Sequence, residues 1–278
     1  MQNNPLAKHF RQPQLYIQLP SKGKYYPPGT LEMPVTKELP VYPMTAKDEL
    51  SFMTPDALLN GQGTVDVIQS CIPNIKDAWA MPTLDLDAVL IAIRQATYGN
   101  NMEFTSVCPH CNEQSEQVLD LSQLTGTINP ANFDEPLKYK GLTFFFKPAD
   151  YRGFNETSKE NFEQQRILKV AADSELDDDT KTTQFQMLFM KLMELTVSQV
   201  TNSISAIKTA DGVTVIEKEF INDLLQNSDK ATWTAVKNKI EELNKQSKMQ
   251  ELDIVCDNDE CSKQYKSPLL FENSNFFG

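Results

Sequence analysis

Glu103-Phe104-Thr105-Ser106-Val107-Cys108-Pro109-His110-Cys111 and Leu252-Asp253-Ile254-Val255-Cys256-Asp257-Asn258-Asp259-Glu260-Cys261 decide the fold. Each stretch runs from strand-like residues into a close cysteine pair, a C-x-x-C in the first and a C-x-x-x-x-C in the second. Strand-like residues follow again, Glu116-Gln117-Val118-Leu119-Asp120-Leu121 after the first pair and Gln264-Tyr265-Lys266-Ser267 after the second. Each pair therefore reads as the tip of a small hairpin. A tight loop lets two thiolates converge on one ion, and tetrahedral zinc takes four sulfurs at about 2.3 Å. Two such knuckles complete the set Cys108, Cys111, Cys256 and Cys261. The expected architecture is a zinc ribbon whose halves are interrupted by a long insertion, with Zn2+ as a structural ion. Four cysteines leave no open coordination position, so the metal itself is not expected to catalyse.

Rival readings of the cysteines fit less well. A thioredoxin-like C-x-x-C needs a helix start in a βαβ pattern and has no use for a second pair. The fifth cysteine, Cys71, follows the apolar run Val65, Val67, Ile68 and reads as a small buried side chain. His110 lies inside the first knuckle, where four cysteines already fill the shell, and His9 stands alone near the start. With two histidines and no nucleophile pattern, a histidine-based catalytic centre is hard to assemble. The phosphate-cradling, dinucleotide, zincin and nucleophile-elbow motifs are all missing. Asp257-Asn258-Asp259-Glu260 lacks the glycine and terminal glutamate of a calcium loop. The expectation is a protein without catalytic or small-molecule sites.

Composition narrows the partners. The 278 residues carry 26 Lys and Arg against 38 Asp and Glu, a net charge of −12. Phosphate-backbone binding needs clustered cations, so nucleic acid is not the expected partner. The first residues contain no apolar secretory core, and no run approaches the length of a membrane span. These features describe a soluble chain made in a cytoplasm, where paired cysteines imply metal before disulfide.

Along the chain, residues 1–45 form an extended arm punctuated by Pro20, Pro27, Pro28, Pro34, Pro40 and Pro43, which forbid a helix. Leu15–Leu19 is the one strand expected there, and Tyr25 and Tyr26 are its anchors. A helical segment occupies 46–103. Thr45-Ala46-Lys47-Asp48 reads as a capping box with Asp in place of Glu. Thr54-Pro55 opens a short helix that Gly61 ends, and Leu86, Val89, Leu90 and Ile93 mark a core helix from Thr83 to Tyr98 stopped by Gly99. The first ribbon half covers 104–121 and the second, with the tail, 252–278. Between them, 122–251 is a mainly helical insertion. It holds one hairpin around Lys140-Gly141 and another across Ala210-Asp211-Gly212. One of its helices carries Phe185, Leu188, Phe189, Leu192 and Met193. Another is capped by Ser228 and buries Trp233, Val236, Ile240 and Leu243. Asp177-Asp178-Asp179 suits a helix N-terminus. The fold class is thus α+β. The arm with its aromatics and the tail with Leu269-Leu270-Phe271 and Phe276-Phe277 both carry apolar side chains, and at least one of the two is expected to dock, on this chain's own core or on a partner protein.

The order of short motifs has a counterpart. Leu19-Pro20-Ser21-Lys22-Gly23-Lys24-Tyr25-Tyr26, then Met44-Thr45-Ala46-Lys47-Asp48-Glu49, then Ile93-Arg94-Gln95-Ala96-Thr97-Tyr98-Gly99 running into Cys108-Pro109-His110-Cys111, resembles baseplate hub proteins of T-even-like contractile-tailed bacteriophages. The hairpin at Asp211-Gly212, the second cysteine pair and the closing Phe276-Phe277 extend the resemblance over most of the chain. The four-residue loop of the second pair and the long acidic insertion depart from it. The resemblance implies a structural or assembly component of a tail baseplate hub, partnered by other hub or wedge proteins, made in the host cytoplasm and placed in the virion tail. The alternative class, a zinc-ribbon nucleic-acid-binding or transcription-related factor, would bring basic loops. Here they read Asn112-Glu113-Gln114-Ser115-Glu116 and Asp257-Asn258-Asp259-Glu260, which repel phosphate.

Overall fold

The computed structural model describes residues 5–6, 9–52, 61–124, 131–173, 178–247 and 251–267, with backbone alone at 166–173, 178–181 and 184. The chain divides into two compact units. Residues 1–130 and 248–278 form one, and 131–247 form the other. Helix and sheet are mixed in separate stretches, an α+β arrangement.

In the first unit the proline-rich arm is part of the core. Strand β1 (Leu15–Ile17) pairs antiparallel with β2 (Leu39–Val41), Tyr16 standing opposite Pro40. The second strand was not anticipated from the sequence. Proline is tolerated because a two-stranded ribbon has free edges on which a missing donor costs nothing. Leu19, Leu39 and Val41 are buried. The arm thus docks on its own unit, one of the outcomes its apolar content allowed, and the tail residues Leu269-Leu270-Phe271 and Phe276-Phe277 lie outside the described residues.

Helix α1 (Ala46–Phe52) opens on the anticipated capping box. The Thr45 N–H donates to Asp48 Oδ2 at 2.8 Å and the Asp48 N–H to Thr45 Oγ1 at 3.2 Å. The shorter Asp suffices because Arg11 and Ser70 also hold its carboxylate, at 3.3 and 3.0 Å. The expected Thr54-Pro55 helix falls outside the described residues. Gly61, read from sequence as the stop of that helix, also precedes helix α2 (Gln62–Cys71) with a φ of 71°. A glycine with positive φ serves either end of a helix, so spacing alone could not orient it.

Helix α3 runs from Thr83 to Tyr98 and ends at Gly99, φ 87°, as its periodicity required. Val89, Ile91, Ala92 and Ile93 are fully buried. A helix apolar around most of its circumference must be the central element of its unit. After it come two hairpins, β3 (Asn101–Val107) with β4 (Gln114–Asp120), and β9 (Leu252–Val255) with β10 (Gln264–Ser267). Among the described residues each is a separate two-stranded antiparallel sheet.

In the second unit, β5 (Leu137–Tyr139), β6 (Leu142–Phe146), β7 (Ile204–Lys208) and β8 (Thr214–Val215) form one antiparallel sheet in that order. Both hairpins foreseen in the sequence are present. Lys140 and Gly141 take φ of 47° and 79°, the two left-handed residues of a type I′ turn. That β6 and β7 join them into one sheet was not legible locally. Helices α4 (Tyr151–Asp173) and α5 (Asp178–Ser203) connect its halves, and α6 (Lys218–Asn227) and α7 (Lys230–Ser247) follow.

Two details of this unit correct the sequence reading. Asp229, not Ser228, caps α7, accepting the Thr232 N–H at 2.8 Å, while the Ser228 hydroxyl donates back to the Leu225 carbonyl. Ser228 ends the preceding helix, and two caps one residue apart cannot be separated by pattern. Trp233 is half-buried, whereas Thr232, Val236, Ile240 and Leu243 are buried. The Asp177-Asp178-Asp179 side chains lie outside the described residues.

Candidate metal centre

The two hairpins turn in the same way although their loops differ by two residues. The Cys108 N–H closes the first loop on the Glu113 carbonyl at 2.9 Å, and the Cys256 N–H closes the second on the Lys263 carbonyl at 3.0 Å. Inside each loop one helical turn follows. The Asn112 N–H reaches the Cys108 carbonyl at 2.9 Å, and the Ser262 N–H reaches the Asn258 carbonyl at 2.9 Å. The first turn starts on Cys108 itself and the second on Asn258, two residues after Cys256, so the extra length is taken up before the turn and the turn is unchanged. Asn112 and Ser262 each follow the second cysteine of their pair, and both are left-handed, with φ of 58° and 46°. That conformation reverses the chain within one residue and is best tolerated by Gly and Asn.

The four sulfurs of Cys108, Cys111, Cys256 and Cys261 all lie within 4.8 Å of one another. Cys108 Sγ is 3.9 Å from Cys261 Sγ, and Cys111 Sγ is 3.5 Å from Cys256 Sγ. Disulfide sulfurs stand at about 2.05 Å, so these are free thiols. Zinc–sulfur bonds of about 2.3 Å at tetrahedral angles set sulfurs roughly 3.8 Å apart. The cluster already has that size. The donor set, four thiols and no carboxylate or imidazole, suits a soft, closed site for zinc. Cys108 and Cys256 are buried and the other two reach the surface.

The thiols sit in unequal electrostatic surroundings. Burial opposes ionisation of Cys108, but the N–H groups of His110 and Cys111 and the thiols of Cys256 and Cys111 outweigh it, bringing Cys108 down to about 7. The Asn258 N–H favours the Cys256 thiolate, yet burial and the three neighbouring thiols push that group up to about 12.

Side chains beyond the cysteines hold the knuckles together. Ile254 and Tyr265 are buried against Cys108 and Cys256, with Phe104 and Leu252 packed beside them. The Ser106 and Tyr265 hydroxyls are hydrogen-bonded at 2.6 Å in the interior, and Gln117 Nε2 donates to Asp257 Oδ2 at 2.9 Å. The sequence reading missed these four residues. The available signal was their register, since each lies on a hairpin strand or in a loop within a few residues of a cysteine. His110 is exposed at the tip.

The glycine-containing arm motif has a different role. Lys22, Gly23 and Tyr25 are all left-handed, and a Cβ on Gly23 would come within 2.7 Å of Met33 Cε. The tight coil delivers Ser21 and Tyr26 to Asp85, in the first turn of α3. Asp85 Oδ1 accepts the Ser21 N–H at 2.7 Å, and Oδ2 accepts the Ser21 hydroxyl at 2.5 Å and the Tyr26 hydroxyl at 3.1 Å. Burial raises Asp85 to about 6 despite these donors. Cys71 is buried as expected, which pushes its thiol up to about 12, although the Arg11 guanidinium 3.8 Å away favours the thiolate.

Together these features define an α+β protein whose first unit combines a buried carboxylate node with two cysteine-tipped hairpins closed on each other. The chain belongs to the family of T4 bacteriophage base plate proteins, whose model matches residues 16–278. No curated protein and no solved structure matches it. The family makes it a structural protein of a phage tail base plate. Among the described residues no helix is long and apolar enough to cross a membrane.

Proposed function

We propose that the chain is a structural or assembly component of the base plate hub, without catalytic activity, whose ribbon is closed by one structural zinc on Cys108, Cys111, Cys256 and Cys261. The observation that carries the metal assignment is the set of sulfur distances. Two loops more than 140 residues apart in sequence bring four thiols to the spacing of a tetrahedral ion. Closing that site links the two stretches of the first unit that flank the second unit in sequence, which suits a part that must keep its shape within an assembly. The hub assignment rests on the resemblance of the motifs at 19–26, 44–49 and 93–111. The partners are then other hub or wedge proteins, met in the host cytoplasm during assembly.

The exposed loop residues Glu113, Glu116, Asp257, Asp259 and Glu260 outnumber Lys263 and Lys266 around the knuckles, which favours a protein partner over nucleic acid. Elemental analysis of protein purified without chelator tests the metal, and one zinc per chain is expected. Mass spectrometry of purified particles, with and without a functional copy of this chain, tests the hub role. Recovery in the base plate, or base plates failing to form without the chain, supports it. Complete base plates that neither contain nor need the chain would end that reading.

A further inference from the structure

Two sulfur contacts cross from one knuckle to the other. Cys111 Sγ lies 3.5 Å from Cys256 Sγ, and Cys108 Sγ lies 3.9 Å from Cys261 Sγ. Each contact pairs a thiol that reaches the surface, Cys111 or Cys261, with a buried one, Cys256 or Cys108. A disulfide needs its sulfurs at about 2.05 Å, so closing either contact takes a shift of roughly 1.5–2 Å shared between two side chains. A modest χ1 adjustment supplies that. The apposition does not depend on the sulfurs alone. Ile254 and Tyr265 pack against Cys108 and Cys256, the Ser106 and Tyr265 hydroxyls are bonded at 2.6 Å, and Gln117 donates to Asp257 at 2.9 Å. These contacts join the two hairpins, so the crossed pairs stay face to face when metal is lost.

We propose that the four-cysteine centre is a redox-convertible clasp, which hydrogen peroxide turns into two crossed disulfides, Cys111–Cys256 and Cys108–Cys261, in place of the metal. The proposal rests on the zinc reading for its starting state alone. The surface thiols are the points of entry. The Cys111 sulfur attacks one peroxide oxygen, the O–O bond breaks, and Cys111 becomes a sulfenic acid as one water leaves. The Cys256 sulfur then attacks the Cys111 sulfur, the S–O bond breaks, and a second water leaves. Two thiols have lost two electrons and two protons, and one peroxide has become two waters. A second peroxide converts Cys261 and Cys108 by the same steps. A disulfide sulfur carries no charge with which to hold zinc, so the ion departs. Crossed links bind the knuckles to each other, whereas links inside each pair would let them separate. The ribbon therefore stays closed in both states. Metal closes it where a cytoplasm keeps thiols reduced, and covalent bonds close it in the oxidising surroundings that a phage tail protein meets outside the cell. Cys71, buried beside Arg11 and outside the cluster, takes no part.

The test treats the natural chain, with the metal it carries after purification, with two equivalents of hydrogen peroxide. Free thiols should fall from five to one, and zinc should pass to a chromophoric chelator. Non-reducing peptide mapping should find Cys111 linked to Cys256 and Cys108 linked to Cys261. Trypsin should cut after Lys263 and Lys266 at least tenfold more slowly in the oxidised chain than in reduced, chelated protein. Cys71→Ser should form the same two links and end with no free thiol. Links within each pair, links between chains, thiols that survive the peroxide, a different pairing in Cys71→Ser, or an oxidised chain that trypsin cuts freely would each overturn the inference. The two readings fail separately. A chain purified without zinc ends the metal assignment while its links are still mapped, and a zinc-loaded chain that peroxide leaves unlinked ends this inference alone.

Discussion

Replacing Asp85 by asparagine should stabilise this protein at neutral pH. Asn is isosteric, its Oδ1 can keep the Ser21 N–H now at 2.7 Å, and its Nδ2 can donate to the Ser21 and Tyr26 hydroxyls that the carboxylate now accepts from. The charge alone is removed. Burial raises the folded carboxyl from 3.8 to about 6, so the folded state binds its proton more tightly than the unfolded chain. The stabilising contribution of that proton is complete below about pH 3.8 and is lost as pH rises through about 6. At about 1.4 kcal/mol per unit, the ionised form costs about 3 kcal/mol at pH 7 and above. Asp85→Asn should therefore match the natural chain near pH 4 and exceed it by about 3 kcal/mol at pH 8, roughly 6–12 °C in Tm for a chain of this size. Asp85→Ala, which leaves the Ser21 N–H and both hydroxyls without an acceptor, should be less stable than Asp85→Asn by several kcal/mol at every pH. Thermal or urea unfolding of the three chains across pH 4–8 reads the effect. Any loss of metal from the four cysteines at low pH is common to all three and cancels in the comparison. An asparagine variant no more stable at pH 8, or a difference independent of pH, would refute the reasoning and show that three donors outweigh burial.

Three further outcomes follow from the knuckles. Cys108→Ser or Cys261→Ser should abolish stoichiometric zinc while most helical circular dichroism survives, because the helices of the second unit have their own core; a variant that kept a full equivalent of zinc would remove the site. Acidification should release zinc as thiolates take up protons, followed with a chromophoric chelator, and retention well below pH 4 would contradict four-thiolate binding. Tyr265→Phe should lose the buried bond to Ser106 and cost about 1 kcal/mol, the Ser106 hydroxyl keeping only its longer contact to Ser115 at 3.4 Å; an unchanged urea midpoint would show that packing alone holds the hairpins.

What was legible in the sequence was what short stretches decide. The helix from Thr83 to Tyr98, the capping box at Thr45, the turn at Lys140-Gly141 and both cysteine-tipped hairpins are each fixed within a few turns or strands of chain. Periodicity, capping and left-handed residues act over that range, and so do the close cysteine pairs. Tertiary structure alone decided which surfaces meet. It set Cys108 against Cys261 and Cys111 against Cys256, placed the Tyr265 hydroxyl on Ser106 across 159 residues, and brought Ser21 and Tyr26 to Asp85. It joined β6 to β7 in one sheet, and it left Phe189 and Met190 of α5 exposed where the spacing reads like any core helix. A local pattern states that a face is apolar or that a thiol points outward from a turn. Which distant surface covers it depends on the simultaneous packing of every other element, and no window of neighbouring residues contains that information.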